Sequence, residues 1–383
     1  MPRIKVGLNS RLLAESTMRG WTRYTTNLIR ALAQTGQAEI SLLTDRPMAA
    51  EHRTRLSESI NSGAIQEIAS GPMAYPKWQE FWLPQVIKSN QIDVYHTPYH
   101  YGIPWRAGCP TVATLHDAID ANMVLPWPER FSRVAMLSRY YLWQTRKLAD
   151  LIITVSHFSA GELNQSLKIP RQKIRVVYEA ADPVFEKLAE AREIAEVTQR
   201  YAVSQSPYVF YVGGLEARKN FEVVLHAMAK MEQKSFFQLV LAGGSAEDRR
   251  RLTELAQSLS IETDVKFIGK VPDVDLPALY AGARALIYPS RLEGFGLQLV
   301  EAMACGCPLL VSQATSLPEI AGEAAAYFEP DDSVTLASIL DRLAVDQDFA
   351  AGLKRWSIDR SRHFSWSITA SETLAVFNEL AAI

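Results

Sequence analysis

The chain has 383 residues, more than one hydrophobic core comfortably serves and about right for two α/β domains of ordinary size. With 48% apolar and 21% charged residues and no long Pro, Ser or Gly tract, it is neither a disordered nor a fibrous protein. Forty Lys and Arg against 42 Asp and Glu leave a formal charge of -2, which supplies no global field for a polyanion and argues against nucleic acid as a partner.

The apolar run within Met1–Asn9 is strand-like and too short for the apolar core of a signal peptide, so no export is expected. Short β-branched runs then alternate with helical periods: Ile4–Leu8, Ile40–Thr44, Val94–Thr97, Thr111–Leu115 and Leu151–Val155 read as strands. At Val176–Phe185 a strand ends in a small-residue segment punctuated by Asp182-Pro183, which places a hinge near 180–187. The same grammar resumes with Tyr208–Val212, Phe237–Ala242, Val265–Ile268, Ala285–Tyr288 and Leu309–Ser312. Each run is apolar along its length, as a strand buried on both faces must be, so the expected fold is two doubly wound α/β units facing across a cleft. Apolar runs stop well short of the roughly 20 residues a membrane-spanning helix needs. Cys109, Cys305 and Cys307 include one Cys-x-Cys pair without a second pair at zinc spacing, and are read as buried thiols in a reducing cytoplasm.

Two segments carry chemistry. In Tyr288–Pro308 a strand ends at Tyr288, a Gly-rich loop holds Glu293, and a helix is expected over Leu297–Ala304 before Gly306 and Pro308 stop it. Its free amides and positive dipole suit a diphosphate, and Gly294 and Gly296 allow close backbone approach. Glu293 and Glu301 can face one ligand from different heights and bind sugar or ribose hydroxyls; alternatively, Glu293 caps the helix and Glu301 is a solvated helix residue. In Tyr208–Asn220 a strand feeds Gly213-Gly214 and then Arg218-Lys219 beside the start of a helix over Phe221–Met231. An arginine fork and a lysine charge can hold a pyrophosphate as a leaving group; the alternative is a solvated basic loop. Two such turns in one domain are what a nucleotide diphosphate at a topological switch point requires.

These segments, with Pro289-Ser290 and Pro318-Glu319, resemble family 4 retaining glycosyltransferases, which have the GT-B fold. Arg19–Tyr24, Thr114–Asp117 and Val155–Ser159 resemble that family's glycine loop, histidine strand end and interdomain serine motif. The tail from Arg362 resembles its final helix, which crosses back, giving an N-terminal acceptor-side domain of 1–182 plus 365–383 and a C-terminal donor domain of 183–364. The resemblance implies that Arg218 and Lys219 hold the donor diphosphate, Glu301 the ribose and Glu293 the donor sugar, with Phe295, Gly296 and Leu297 amides orienting it. It further implies that the Gly213-Gly214 loop and the loop around Gly20 approach the diphosphate, that His116 lies near the sugar, and that Gly269, within Phe267–Lys270, belongs to a turn meeting the base through its backbone.

Several positions depart from the family pattern. Gly214 stands where many relatives have arginine, Trp21 replaces a small residue or isoleucine, Gln298 replaces proline, and Glu179-Ala-Ala-Asp182 replaces a frequent Asn-Gly-Val-Asp. The resemblance implies retention, and no pair of carboxylates spaced for a nucleophile and an acid is evident, so front-face substitution is expected. No metal or other cofactor is expected, since His116-Asp117 lacks a third ligand at suitable spacing. The partners implied are a nucleotide sugar, either GDP-mannose or a UDP-sugar, and a saccharide or lipid-linked acceptor in polysaccharide biosynthesis. Glu129–Lys147 mixes cations and aromatics at helical spacing, either as a peripheral contact with the inner face of a membrane or as a packed helix with snorkelling arginines. A sugar-nucleotide epimerase of GT-B-like fold and a non-catalytic nucleotide-sugar-binding subunit are the alternatives; turnover of donor without acceptor marks the first.

Overall fold

The structure is a computed structural model that describes residues 3–16, 20–118, 132–203 and 206–382. The chain divides into two compact units, Met1–Glu179 with Ser365–Ile383, and Ala180–Phe364, against the expected boundaries of 182/183 and 364/365. Both are parallel α/β sheets wrapped by helices, so the fold class is GT-B-like with two Rossmann-like units.

The first unit carries seven strands: β1 Ile4–Asn9, β2 Ala38–Thr44, β3 Ile65–Ala69, β4 Val94–Thr97, β5 Thr111–Thr114, β6 Leu151–Thr154 and β7 Ile174–Val176. Their order is β3-β2-β1-β4-β5-β6-β7, all parallel, with Val6 paired to both Ile40 and Val94. The second unit has β8 Tyr208–Gly213, β9 Gln238–Gly243, β10 Val265–Gly269, β11 Ala285–Tyr288, β12 Leu309–Ser312 and β13 Ala325–Phe328, in the order β10-β9-β8-β11-β12-β13. Strands β4, β5, β6, β11 and β12 are buried at every position, which is why they are mostly apolar and carry no Asp, Glu, Lys or Arg.

Three strands depart from the sequence reading. The termination of a strand at Val176 was legible, but β3, β7 and β13 were not delimited, and all three lie at sheet edges. An edge strand has one neighbour and partial burial, so β3 can carry Gln66 and Glu67 and loses the apolar signature. Cys109 is also only half-buried, unlike Cys305 and Cys307. Desolvation nonetheless pushes the Cys109 and Cys307 thiols up to about 12, which keeps them protonated.

The C-terminal helix Trp366–Ala381 belongs to the first unit. Thr369 Oγ1 donates to the Tyr178 carbonyl at 2.8 Å, Arg175 Nε donates to Glu379 at 3.0 Å, and Trp366 packs on Tyr24. Helix Arg133–Leu148 starts at a Ser132 cap accepting from the Ala135 amide. It buries Gln144 and Thr145 and exposes Met136, Leu137, Tyr140 and Trp143. Glu129–Phe131 of the cationic-aromatic stretch lie outside the described residues. Among the described residues no helix is long and apolar enough to cross a membrane.

Candidate active site

In the second unit the strand order reverses between β8 and β11, which are hydrogen-bonded neighbours, with Val209 opposite Ala285 and Phe210 opposite Leu286. Their connections leave in opposite directions, so the carboxyl ends of β8 and β11 flank the crevice where open α/β sheets bind ligands. Both motif-bearing loops emerge there.

The β8 loop begins at Gly213, with φ 144°, and packs on the end of β9. The Gly244 amide donates to the Gly213 carbonyl at 3.0 Å, and a Cβ built on Gly243, at φ 96°, would lie 2.4 Å from that oxygen. Only glycine permits this approach of backbone to backbone. At the arginine-to-glycine departure, Tyr211 donates to the Gly214 carbonyl at 3.0 Å, and a Cβ at 214 would overlap the Glu216 carboxylate. Sequence reasoning missed Gly243 and Gly244. The available signal was Ala242-Gly-Gly-Ser245, a strand end before a capped helix, in the same grammar as Gly213-Gly214.

After Gly214 the chain makes a short 3-10 turn over Ala217–Lys219 and enters helix Phe221–Lys230 through Asn220, which is left-handed at φ 60° and ψ 38°. The Asn220 amide group donates to Pro330 O at 2.6 Å and Pro289 O at 3.2 Å, and its oxygen accepts from Arg291 at 2.9 Å. The Arg291 amide in turn donates to the Arg218 carbonyl at 2.9 Å. These bonds stitch the β8 loop to the β11 loop, and three expected residues meet as a result. Lys219 Nζ donates to Glu293 Oε1 at 2.6 Å, with both side chains buried, and Arg218 Nη1 lies 3.6 Å from the same oxygen. Lys219 also lies over the Tyr288 ring, 5.5 Å from its centre, while Arg218 remains 40% exposed.

Glu293 is braced from β12's following turn. Its amide donates to Thr315 Oγ1 at 3.1 Å, and Ser316 Oγ donates to the Glu293 and Phe295 carbonyls at 3.0 and 3.3 Å. Neither Thr315 nor Ser316 has a sequence signature of its own; each matters through its place in the fold. Gly296, at φ 95°, turns the loop into helix Leu297–Ala304, and Phe295 is buried edge-to-face against Phe364. Gln298, at the departure from proline, accepts from the Tyr288 hydroxyl at 2.9 Å. Glu301 is 2% exposed, so it is no solvated helix residue, and its Oε2 accepts from Tyr280 at 3.1 Å. Burial, with Glu301 beside it, holds the Tyr280 phenol well above its ordinary value and so protonated as a donor. Gly269 ends β10 at φ 71° in open space, where pairing with β9 shifts register.

The remaining expected residues lie in the first unit. Gly20 opens helix Gly20–Gln34 with open space around it, and Arg19 lies outside the described residues. His116 follows β5, with Nδ1 at 2.7 Å from Glu179 Oε1 and Nε2 at 3.3 Å from the Pro98 carbonyl. Tyr24 meets it edge-on at 4.7 Å and bonds Thr114. His116, Asp117, Trp21, His100, Ser138, Arg139 and Leu142 line a cavity of about 60 Å³. Glu179 had been noted only as part of an altered hinge segment. Among the described residues no group of three His, Cys, Asp or Glu could hold a metal ion.

Two Rossmann-like units, one with cationic and acidic loops converging at its switch point, define the class; comparison with known proteins places the chain within it. Residues 18–185 match the model described as Glycosyltransferase Family 4, and residues 194–357 that of Glycosyl transferases group 1. The chain is 31% identical to O-antigen chain mannosyltransferase B of Escherichia coli over 75% of its own length and 74% of that protein's. It is 30% identical to the serotype-specific mannosyltransferase WbdA of Escherichia coli over 73% of the chain, spanning 34% of that longer relative. The structure of Anabaena Alr3699/HepE in complex with UDP-glucose superposes with a TM-score of 0.73, at 18% identity, over 99% of this chain and 100% of that one. The chain belongs to the family 4 glycosyltransferases, enzymes of GT-B fold that use nucleotide-sugar donors.

Proposed function

We propose that the chain is a retaining hexosyltransferase that moves a mannosyl unit from a nucleotide-diphosphate sugar to a hydroxyl of a saccharide or lipid-linked saccharide, without a metal ion. The observation that carries this reading is the convergence of Arg218 and Lys219 on Glu293 where the β8 and β11 loops meet. Two cations there can take the place of a divalent ion on the diphosphate, and their preorganised charge acts where negative charge develops as the glycosidic bond breaks. The donor would draw Lys219 from Glu293 to a phosphate oxygen, leaving the carboxylate for sugar hydroxyls. Glu301, held by Tyr280, would take the ribose. The mannosyl assignment comes from likeness to the O-antigen and serotype-specific mannosyltransferases.

In the proposed reaction the bond from the anomeric carbon to the diphosphate oxygen breaks, and the acceptor oxygen bonds the same carbon from the same face. The departing oxygen takes the acceptor's proton, so no protein base is needed, and direct same-face attack needs no protein nucleophile. The exposed Met136, Leu137, Tyr140 and Trp143, beside Arg139, support contact of helix Arg133–Leu148 with an anionic membrane that would hold a lipid-linked acceptor.

Thermal-shift measurements across GDP, UDP and ADP test the donor, with about 2.7 kcal/mol of stabilisation expected at 100 times the dissociation constant. GDP is expected to win. Transfer from GDP-mannose with an α product by NMR, undiminished by a chelator, supports the reading; an inverted product, a chelator-sensitive rate or a trapped glycosyl-enzyme overturns it. Liposome flotation, lost with Arg133→Glu and Arg139→Glu, tests the membrane contact.

A further inference from the structure

The two hydrogen bonds of the His116 ring both end on acceptors. Nδ1 meets the Glu179 carboxylate at 2.7 Å, and Nε2 faces the Pro98 carbonyl at 3.3 Å. A carbonyl can only accept, and an ionised carboxylate can only accept. A neutral ring carries one N–H and one lone pair, so against an ionised Glu179 it would set a lone pair on one of these oxygens; with that carboxylate ionised, the ring with both nitrogens protonated satisfies both. The side chain is 13% exposed and Glu179 only 9%, so water does not offer an easy substitute partner.

We propose that Glu179 is a positioning residue that holds His116 as a doubly protonated, donating imidazolium, so that this chain's histidine contributes charge and an N–H and takes no proton. Glu179 is the first residue of Glu179-Ala-Ala-Asp182, so the negative charge facing the ring comes from the segment that follows β7. It is also the last residue of the first unit before the chain passes into the second. The surroundings agree in sign. Burial opposes a charged ring, but the hydrogen bond and charge of Glu179, the Pro98 carbonyl and the charge of Asp117 outweigh it and raise His116 above its ordinary value. The other groups facing the ring are neutral Tyr24, edge-on to it, and His96, which burial and the His116 charge keep neutral; Arg139 and His100 share its cavity.

The consequence for transfer is specific. A ring already holding both protons cannot serve as the base for the acceptor hydroxyl, and its long Nε2–H bond to Pro98 can be shared with a hydroxyl or phosphate oxygen of a ligand. This consequence rests on the reading of the protein as a transferase with His116 in its site; the protonation state does not.

The test is a pH titration of the histidine ring nitrogens by long-range 1H–15N NMR of the full chain. The chain has seven histidines, and His116→Gln assigns the signal. The expected result is two protonated ring nitrogens at pH 7, with deprotonation above the ordinary imidazole value. In Glu179→Gln the midpoint should fall below that value because burial is then unopposed, and Glu179→Asp should restore it. The alkaline fall of kcat should move to lower pH in Glu179→Gln, while thermal stabilisation by GDP stays as in the parent, since that ligand reports on the second unit's loops. A neutral ring at pH 7 in the parent protein overturns the proposal with no variant needed, and so does a midpoint that Glu179→Gln leaves in place. If the titration behaves as expected but no sugar is transferred, the transferase reading fails and the protonation assignment stands.

Discussion

Lys219 and Glu293, 74 residues apart in sequence, form a buried ion pair at 2.6 Å that joins the β8 and β11 loops of the second unit. The pair stores in one contact the cation proposed for the diphosphate and the carboxylate proposed for the sugar. Removing one partner strands the other in a buried site, which typically costs about 3–5 kcal/mol. Lys219→Met and Glu293→Gln are each expected to lower the unfolding free energy by part or all of that amount. The double variant should recover much of the stability but none of the transfer. Denaturant unfolding and initial rates check this; a double variant that regains activity would show that the pair serves the fold alone.

Tyr280 supplies a hydroxyl to Glu301 Oε2 inside the protein. Tyr280→Phe removes that hydrogen bond to a buried carboxylate, at a cost of about 1–3 kcal/mol. Because Glu301 is read as the ribose ligand, the donor KM is expected to rise several-fold with a smaller change in kcat. A kcat loss with unchanged KM would place Tyr280 in the chemical step instead.

Two glycines separate backbone strain from close packing. Gly269→Ala at φ 71° meets open space and should cost only the left-handed strain, about 1–2 kcal/mol. Gly243→Ala adds a Cβ 2.4 Å from the Gly213 carbonyl and must displace the β8 loop. Its melting temperature should fall further, and its stabilisation by nucleoside diphosphates should be lost. Equal effects of the two variants would contradict this packing.

His96 links stability to acid. Burial, and then the charge of His116, lower it from 6.5 to about 3, and its Nδ1 has no hydrogen-bond partner. The unfolded chain therefore binds a proton that the folded one refuses, so stability falls as pH drops from about 6.5 toward 3, by up to about 1.4 kcal/mol per pH unit from this group. His116 has the opposite sign: its raised value contributes stability below pH 6.5 that disappears as pH rises through the folded value. Urea unfolding at stepped pH should show the acid slope in the parent and a shallower one in His96→Gln.

Much of the fold was legible because central strands buried on both faces are mostly apolar and exclude charged side chains. Val94–Thr97, Ala285–Tyr288 and Leu309–Ser312 were delimited to the residue, as was helix Leu297–Ala304 between Gly296 and the Gly306 stop. Strands β3, β7 and β13, all at sheet edges, were not: β3 carries Gln66 and Glu67 and β7 carries Arg175, whereas the edge strand β10 keeps enough apolar residues to be read.

The site divides along the same line. Residue type and spacing marked Arg218, Lys219, Glu293 and Glu301 as candidates beside the bland readings, and the family resemblance gave them roles, because glycine turns at strand ends and charged groups beside helix starts are local features. The partners Tyr280, Thr315, Ser316 and Gly243, and the Glu179–His116 bond across 63 residues, came only from packing. Local sequence determines which backbone turns and which charges are present. Which charges neutralise one another, and which protons they then hold, depends on distances of a few ångströms between segments that only the folded chain brings together.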